Sequence, residues 1–275
     1  MFKLLRSLNF ERSVDVYFLG YPKTGNTWTR YMLGRYLQLF CDSTHLKLFD
    51  GTDWLGRCER AGVGPRMHFT HSPLTWDTQT AEDLTYEQVA KAYHSRRVVL
   101  LSRYPLDALV SAWLQQTHRS ARRFEGELEE FLTHPVLGLE KFLRFYQMWA
   151  EGAREVSGFH LLKYEDMRAE PEKLFSELLR FLGIPVQEAT VRRAVKDASF
   201  ESMKTMEASG RGPRYRSSGL DIFGGSDPAN LESFHVRKGQ VGGYREYLKP
   251  QASNYYENLI GPRMPLLYGY QRPPH

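Results

Sequence analysis

The chain has 275 residues, with 37 Lys and Arg against 32 Asp and Glu, so its formal net charge is +5. This length supplies ample material for a buried core, and an aromatic content of 13% with nearly balanced charge excludes a disordered chain. Two cysteines, Cys41 and Cys58, cannot form a disulfide framework, and we expect both to be reduced. Because no apolar run approaches the ~18 residues of a membrane span and no secretory signal is visible, we expect a cytoplasmic protein without a transmembrane segment.

In chain order, short apolar runs that predict strands alternate with periodic segments that predict helices. Strands are expected at 14–19, 67–70, 98–101 and 159–163, and helices at 26–40, 81–94, 105–116, 127–155 with an interruption near Pro135, 171–182 and 187–196. This alternation predicts a single α/β domain over 1–275, with a central parallel sheet flanked by helices. We expect the core to cover about 14–245 and the Gly- and Ser-rich segment 209–233 to be a mobile loop and a candidate lid.

The sequence GYPKTGNT at 20–27 lies between the first expected strand and the first expected helix. It is similar to the phosphate-binding pattern G-x-x-x-x-G-K-[ST], in which backbone N–H groups and a helix N-terminus surround an anion. The usual lysine position holds Asn26, the lysine stands earlier as Lys23, and no aspartate follows the strand at 98–101 to hold Mg²⁺. The segment therefore predicts a phosphate site without nucleoside triphosphate chemistry. A structural glycine turn with a surface lysine is the alternative.

Two further basic elements could bind a second anion. Arg103 follows the strand at 98–101 and Ser111 lies two helical turns into the next helix, so a guanidinium and a hydroxyl could converge on a phosphate monoester. The alternative is an ion pair between Arg103 and Asp107 at the start of that helix. The Arg-Lys-Gly sequence at 237–239 is the third basic element, and its alternative is a solvated charge pair.

Together and in this order, these elements resemble the sulfotransferase family that uses 3′-phosphoadenosine 5′-phosphosulfate (PAPS). The resemblance covers about 14–245 and rests on YPKTGNTW at 21–28, THSP at 70–73, the segment 103–111, YEDM at 164–167 and VRKGQVG at 236–242. It implies a P-loop-NTPase-like fold and transfer of a sulfuryl group from PAPS to a hydroxyl of a small-molecule, lipid or glycan acceptor. The resemblance also implies release of 3′-phosphoadenosine 5′-phosphate (PAP) and no metal ion. The sequence pattern is closer to that of a bacterial member than to that of the animal cytosolic branch.

The same resemblance assigns roles to individual residues. His71 would be the catalytic base, and Lys23 would stabilise the charge that builds on the leaving phosphate. The donor-binding residues would be Lys23, Thr24, Gly25, Asn26 and Thr27 for the 5′-phosphosulfate, Trp28, Tyr164 and Phe200 for the adenine, and Arg103, Ser111, Arg237, Lys238 and Gly239 for the 3′-phosphate. For His71 the alternative is a hydrogen-bonded core histidine. A metal pair with His68 lacks a third ligand at a readable spacing.

Three positions depart from the family pattern. Phe69 stands where a lysine often precedes the catalytic histidine by two residues, so no second cation is assigned at the sulfuryl group. Tyr244 replaces a familiar tryptophan, and Ala198 replaces a threonine. The dimerisation segment of the animal cytosolic enzymes is not recognisable after Arg245.

The acceptor site and two other functions stay open at this point. Arg119, Arg122 and Arg123 either read an acidic acceptor or form a solvated face, while the aromatic candidates for an apolar acceptor site are Trp54, Trp76, Trp113, Phe124, Tyr215 and Phe223. The alternative enzyme is a P-loop nucleotide or small-molecule kinase. The alternative from another class is a non-catalytic nucleotide-binding module. Nucleic acid is not expected as a partner because the basic residues are scattered.

Overall fold

Four parallel strands form the centre of the computed structural model, which describes residues 14–42, 62–119, 124–209, 216–217, 220–221, 234, 236 and 238–274. They are β1 (Val16–Gly20), β2 (Met67–Thr70), β3 (Arg97–Ser102) and β4 (Gly158–Lys163), in the spatial order β2-β1-β3-β4. Leu19 of β1 lies beside Thr70 of β2 and Leu100 of β3, so the carboxyl ends of these strands meet at one edge. Open α/β sheets bind their ligands at this edge.

Helices surround the sheet. In chain order they are α1 (Asn26–Phe40), α2 (Tyr86–Tyr93), α3 (Pro105–His118), α4 (Leu128–Thr133), α5 (Leu139–Gly152), α6 (Tyr164–Ala169), α7 (Pro171–Leu182), α8 (Glu188–Asp197), α9 (Phe200–Ala208) and α10 (Pro250–Ile260). Short 3₁₀ turns lie at Gly243–Glu246, Gly261–Arg263 and Leu266–Tyr268, and the antiparallel pair β5 (Arg216–Ser217) and β6 (Leu220–Asp221) forms a second, two-stranded sheet. In the part of the chain that the structure describes, no helix is both long and apolar enough to cross a membrane.

The core has two layers because successive strand side chains point to opposite faces of the sheet. Tyr17 and Leu19 face one layer, which includes apolar residues of α3, α5 and α10. Val16 and Phe18 face the other, which includes residues of α1, α7 and α8. The sheet is therefore buried on both faces, as all-parallel sheets generally are. This arrangement leaves the carboxyl edge of the strands as the surface available for a ligand.

The structure confirms the predicted α/β fold and most of its elements. Helices α1 and α7 have the predicted bounds, and all four strands of the central sheet lie within two residues of the predicted ones. The expected helix at 81–94 begins only at Tyr86, because Thr85 and Gln88 form a capping box there. The expected helix at 127–155 is divided into α4 and α5 around Pro135.

Three helices were not predicted. Helix α6 follows β4 without a spacer, α9 begins after Ser199, whose side chain accepts a hydrogen bond from the Ser202 N–H, and α10 begins with Pro250. The C-terminal part adds Ile260, Tyr268 and Tyr270 to the buried core. The segment expected to be a mobile loop, 209–233, lies mostly outside the described residues, as does Cys58, whereas Cys41 is a free thiol.

Candidate active site

A cavity of about 560 Å³ opens at the carboxyl edge of the sheet. Among the residues that line it are twelve of the predicted site residues: Lys23, Gly25, Asn26, Thr27, Trp28, His71, Arg103, Ser111, Tyr164, Phe200, Lys238 and Gly239. Thr24 is not among the lining residues, and Arg237 lies outside the described residues. The fold thus brings together residues from six separate parts of the chain, at 23–28, 71, 103–111, 164, 200 and 238–239.

The phosphate loop, defined here as residues 20–27, packs tightly against β3. A Cβ on Gly20 would lie 2.5 Å from Thr24 Oγ1 and 2.9 Å from the Leu101 carbonyl oxygen, so only glycine fits. The Thr24 hydroxyl is buried and donates to the Tyr21 carbonyl at 2.7 Å, which places this side chain inside the loop. Gly25, with a φ of 108°, is the N-cap of α1. The loop therefore presents backbone and a helix N-terminus to the cavity, the arrangement that suits an anion.

The Lys23 ammonium is held at the boundary between the phosphate loop and α3. Its Nζ donates to Gln115 Oε1 at 2.7 Å. Gln115 and Lys23 both line the cavity. The lysine is therefore a cation of the site and not a surface residue, contrary to the alternative considered from the sequence.

His71 follows the end of β2 and lies against the phosphate loop. Its Nδ1 is 2.6 Å from the Gly20 carbonyl oxygen. A carbonyl only accepts hydrogen bonds, so Nδ1 carries the proton and Nε2 of the neutral ring has a free lone pair. Burial lowers the pKa of His71, and the positive charges of Arg30 and Lys23 lower it further, against the opposing effect of the Gly20 hydrogen bond. The imidazole is thus neutral at pH 7 and able to accept a proton at Nε2.

Arg103 connects two walls of the cavity. Its guanidinium donates to the Lys23 carbonyl at 3.2 Å and to the Gln240 carbonyl at 3.4 Å, and its Cζ lies 4.3 Å from the centre of the Tyr164 ring. Ser111, on the next helix, is 8% exposed and lines the same cavity. The guanidinium and the hydroxyl therefore line the same cavity, and their joint binding of a phosphate stays a prediction.

Asp107 has a different partner from the one considered. Its carboxylate accepts hydrogen bonds from the Gly242 N–H at 2.7 Å and the Tyr244 N–H at 3.0 Å. Lys238, at the rim, contacts the Glu246 carboxylate, and its Nζ lies 5.0 Å from the centre of the Tyr247 ring. Asp107 thus holds the segment 238–244 against the start of α3.

Three aromatic rings line the cavity, those of Trp28, Tyr164 and Phe200. Trp28 Nε1 donates to the Ala198 carbonyl at 2.9 Å, and the Trp28 and Tyr164 rings are 5.6 Å apart at 65°. Gly239 has a φ of 63°, and a Cβ on it would lie 2.6 Å from Cδ2 of Phe200. The three rings predicted to contact an adenine therefore line the same cavity, and that of Phe200 packs against Gly239.

The sequence did not identify Arg30 as a site residue. Its side chain is only 6% exposed, lines the cavity, and places its guanidinium 4.6 Å from the centre of the Phe69 ring. Phe69 in turn stacks on Phe18 with centres 4.2 Å apart. The Arg30 guanidinium therefore lies over Phe69, the position at which the family often has a lysine. The sequence feature that could have identified Arg30 is its position, one helical turn after Thr27 on the same face of α1.

Arg119 lines the cavity and is not part of a solvated face, while an acceptor-reading role stays a prediction. Its side chain is 8% exposed and pairs with Glu207 at 3.0 Å. Arg122 and Arg123 lie outside the described residues, as do Trp54, Tyr215 and Phe223. The other aromatic candidates for an acceptor site, which are Trp76, Trp113 and Phe124, pack against the core instead of lining this cavity.

Fold and cavity together define an α/β protein with a P-loop-like anion site. Among the described residues, no group of three or more His, Cys, Asp or Glu side chains could hold a metal ion. The expectation that no metal is used stays a prediction.

Comparison with known proteins identifies the family. A family model described as a sulfotransferase domain matches residues 13–267. The chain is 26% identical over 262 residues to cytosolic sulfotransferase 17 of Arabidopsis thaliana, which covers 87% of this chain and 71% of that protein. The crystal structure of mouse sulfotransferase SULT7A1 complexed with PAP has a TM-score of 0.60 at 19% identity and covers 92% of this chain and 85% of that one. Retinol dehydratase in complex with androsterone and inactive cofactor PAP has a TM-score of 0.58 at 16% identity and covers 90% of this chain and 80% of that one.

The chain belongs to the sulfotransferase family, which confirms the resemblance, and it is a PAPS-dependent sulfotransferase. The P-loop-like fold is confirmed by the two solved structures. The family match therefore favours a sulfotransferase over the kinase considered from the sequence. Bacterial origin stays a prediction.

Proposed function

We propose that this sulfotransferase transfers the sulfuryl group of PAPS to an acceptor hydroxyl, with His71 as the base and Lys23 as the cation at the leaving phosphate. One observation carries the proposal. The imidazole of His71 and the ammonium of Lys23 face the same cavity, and the Gly20 carbonyl fixes the tautomer that leaves Nε2 free.

The donor is proposed to lie across the cavity. Its 5′ end fits the phosphate loop, since that loop offers backbone N–H groups and a helix N-terminus. The proposed ligands of its 3′-phosphate are Arg103, Ser111, Arg237, Lys238 and Gly239. The adenine fits between Trp28, Tyr164 and Phe200. The presence of PAP in the two solved relatives supports a donor of this class.

In the proposed transfer, His71 Nε2 removes the proton from the acceptor hydroxyl as its oxygen bonds to sulfur. The bond from sulfur to the 5′-phosphate oxygen breaks, and the electron pair stays on that oxygen. Lys23 Nζ, on leaving Gln115, stabilises the resulting charge. The Gly20 carbonyl, which accepts from Nδ1, stabilises the imidazolium that forms.

The proposed acceptor is a small-molecule, lipid or glycan hydroxyl. We also propose a cytoplasmic location, which the name of the plant relative supports. Neither proposal depends on the assignment of His71 and Lys23.

The test is transfer of radiolabelled sulfuryl from PAPS to a panel of phenols, alcohols, lipids and glycans. His71→Ala is expected to lose transfer by about 100-fold or more, as removal of a general base does, while its affinity for PAP stays within about 2-fold of wild type. His94→Ala, which changes an exposed histidine after α2, is the matched control and should transfer normally. Retained transfer in His71→Ala contradicts the assignment, and loss of both transfer and PAP binding indicates a structural histidine.

A further inference from the structure

Polar residues along one face of α3 and just after it form hydrogen bonds or an ion pair with three other parts of the cavity wall. Asp107, Ser111, Gln115 and Arg119, which directly follows the helix, recur every four residues and line the cavity. Asp107 holds the segment 238–244, and Gln115 holds Lys23. Arg119 contacts α9 through Glu207. The stripe therefore connects the proposed donor site to elements on both sides of it.

The contact between Arg119 and Glu207 is a buried ion pair. The guanidinium and the carboxylate are 3.0 Å apart, and their side chains are 8% and 0% exposed. The second oxygen of Glu207 accepts a hydrogen bond from the Val236 N–H at 2.8 Å. A carboxylate buried to this extent must be paired and hydrogen-bonded. Glu207 thus joins α3, α9 and the start of the segment that contains Lys238 and Gly239.

Helix α9 contacts this segment a second time. Phe200, its first residue, lies so close to Gly239 that a Cβ there would be 2.6 Å from the ring. Phe200 and Glu207 are seven residues apart, a helical rise of about 10 Å. Val236 and Gly239 therefore contact two points along α9. Arg119, which lies two helical turns after Ser111, connects α9 to α3.

We propose that Arg119 and Glu207 are positioning residues for the 3′-phosphate site. Their ion pair sets the distance between Ser111 and the residues Val236 and Gly239, so that Ser111 and the Gly239 backbone reach the same phosphate. The inference rests on the proposed function, because it requires a donor with a 3′-phosphate at this end of the cavity. Neither side chain is required to touch the donor.

The test compares the affinity for PAP with the affinity for AMP, which lacks the 3′-phosphate, by titration calorimetry. The double variant Arg119→Met with Glu207→Met removes both charges, since a single change would leave one charge buried without its partner. We expect the affinity for PAP to fall by about 10-fold, the size of one lost charge-assisted hydrogen bond, and the affinity for AMP to change by less than about 2-fold. The matched control is Arg263→Met with Glu140→Met, an ion pair whose residues do not line the cavity. It should keep the wild-type ratio of the two affinities.

Arg119→Gln is a milder second variant, because it keeps a hydrogen-bond donor for Glu207 while removing the charge. We expect it to fold and to lower the preference for PAP by about 3-fold. A preference that is unchanged in either variant, or equal losses of PAP and AMP affinity, would overturn the positioning role. A wild type that binds PAP no better than AMP would instead overturn the donor assignment, and this inference with it.

Discussion

The chemistry of His71 depends on its burial and on the charged residues around it. The histidine can act as a base only when it is neutral, and burial first, then the charges of Arg30 and Lys23, lower its pKa below the usual 6.5. Transfer should therefore increase as the pH rises through a pKa below 6.5 and then level off. The positive charges of Arg30 and Lys23 each shift this increase in activity to lower pH.

Arg30→Met removes one of those charges and keeps much of the packing on Phe69. The pKa of His71 should then rise, so the acidic limb of the plot of kcat/KM against pH moves to higher pH. Arg168→Met is the control, because Arg168 also lines the cavity and is not among the charges that act on His71. An acidic limb that stays in place in Arg30→Met, or moves to lower pH, would contradict this electrostatic role.

At the scale of elements, the unit of β1, the phosphate loop and α1 depends on the missing side chain of Gly20. In Gly20→Ala the new methyl would meet Thr24 Oγ1 and the Leu101 carbonyl, both closer than 3 Å. Overpacking of this kind destabilises by about 1–3 kcal/mol and moves the backbone, so we expect a lower free energy of unfolding in urea and at least about 10-fold weaker PAP binding.

Gly183→Ala makes a useful comparison with that variant. Gly183 has a φ of 72° and open space around it, at the end of α7. The change should cost about 1–2 kcal/mol through backbone strain alone and leave the affinity for PAP unchanged. Equal PAP affinity in the two alanine variants would show that the tight approach at Gly20 does not shape the anion site.

The elements that sequence could predict are those whose buried residues follow a period. Helix α1 was predicted to its bounds because its apolar residues recur at helical spacing after a recognisable loop. Helix α9 was not, since its buried residues are Met203 and Glu207, and a buried glutamate interrupts an apolar stripe. The burial of Arg119 could not be predicted from the sequence, because its partner Glu207 lies 88 residues further along the chain.

Over the whole molecule, positive charge is concentrated at one place. Among the described residues that line the cavity, Asp107 is the only acidic one, while the cationic ones are Lys23, Arg30, Arg103, Arg119, Arg168 and Lys238. The net charge of +5 gives no indication of this concentration. The order of the three basic segments (20–27, 103–111 and 237–239) along the chain was enough to suggest the family. Their proximity in space depends on the fold.

This concentration predicts salt-dependent binding of the donor product. Raising the salt from about 0.1 M to 1 M shortens the screening length from about 10 Å to 3 Å, so the Kd for PAP should rise several-fold. The Kd for adenosine, which lacks both phosphates, should change little. Parallel changes for the two ligands, measured by calorimetry, would contradict an electrostatic origin of the affinity.

The hydrogen bond from His71 to the Gly20 carbonyl has a consequence for the timing of catalysis. Gly20 ends β1 and begins the phosphate loop, so a shift of that loop on nucleotide binding would also shift the hydrogen-bonded imidazole. With His71 as the proposed base, the bound nucleotide would then set the orientation of the base. We therefore expect the nucleotide to bind before the acceptor alcohol.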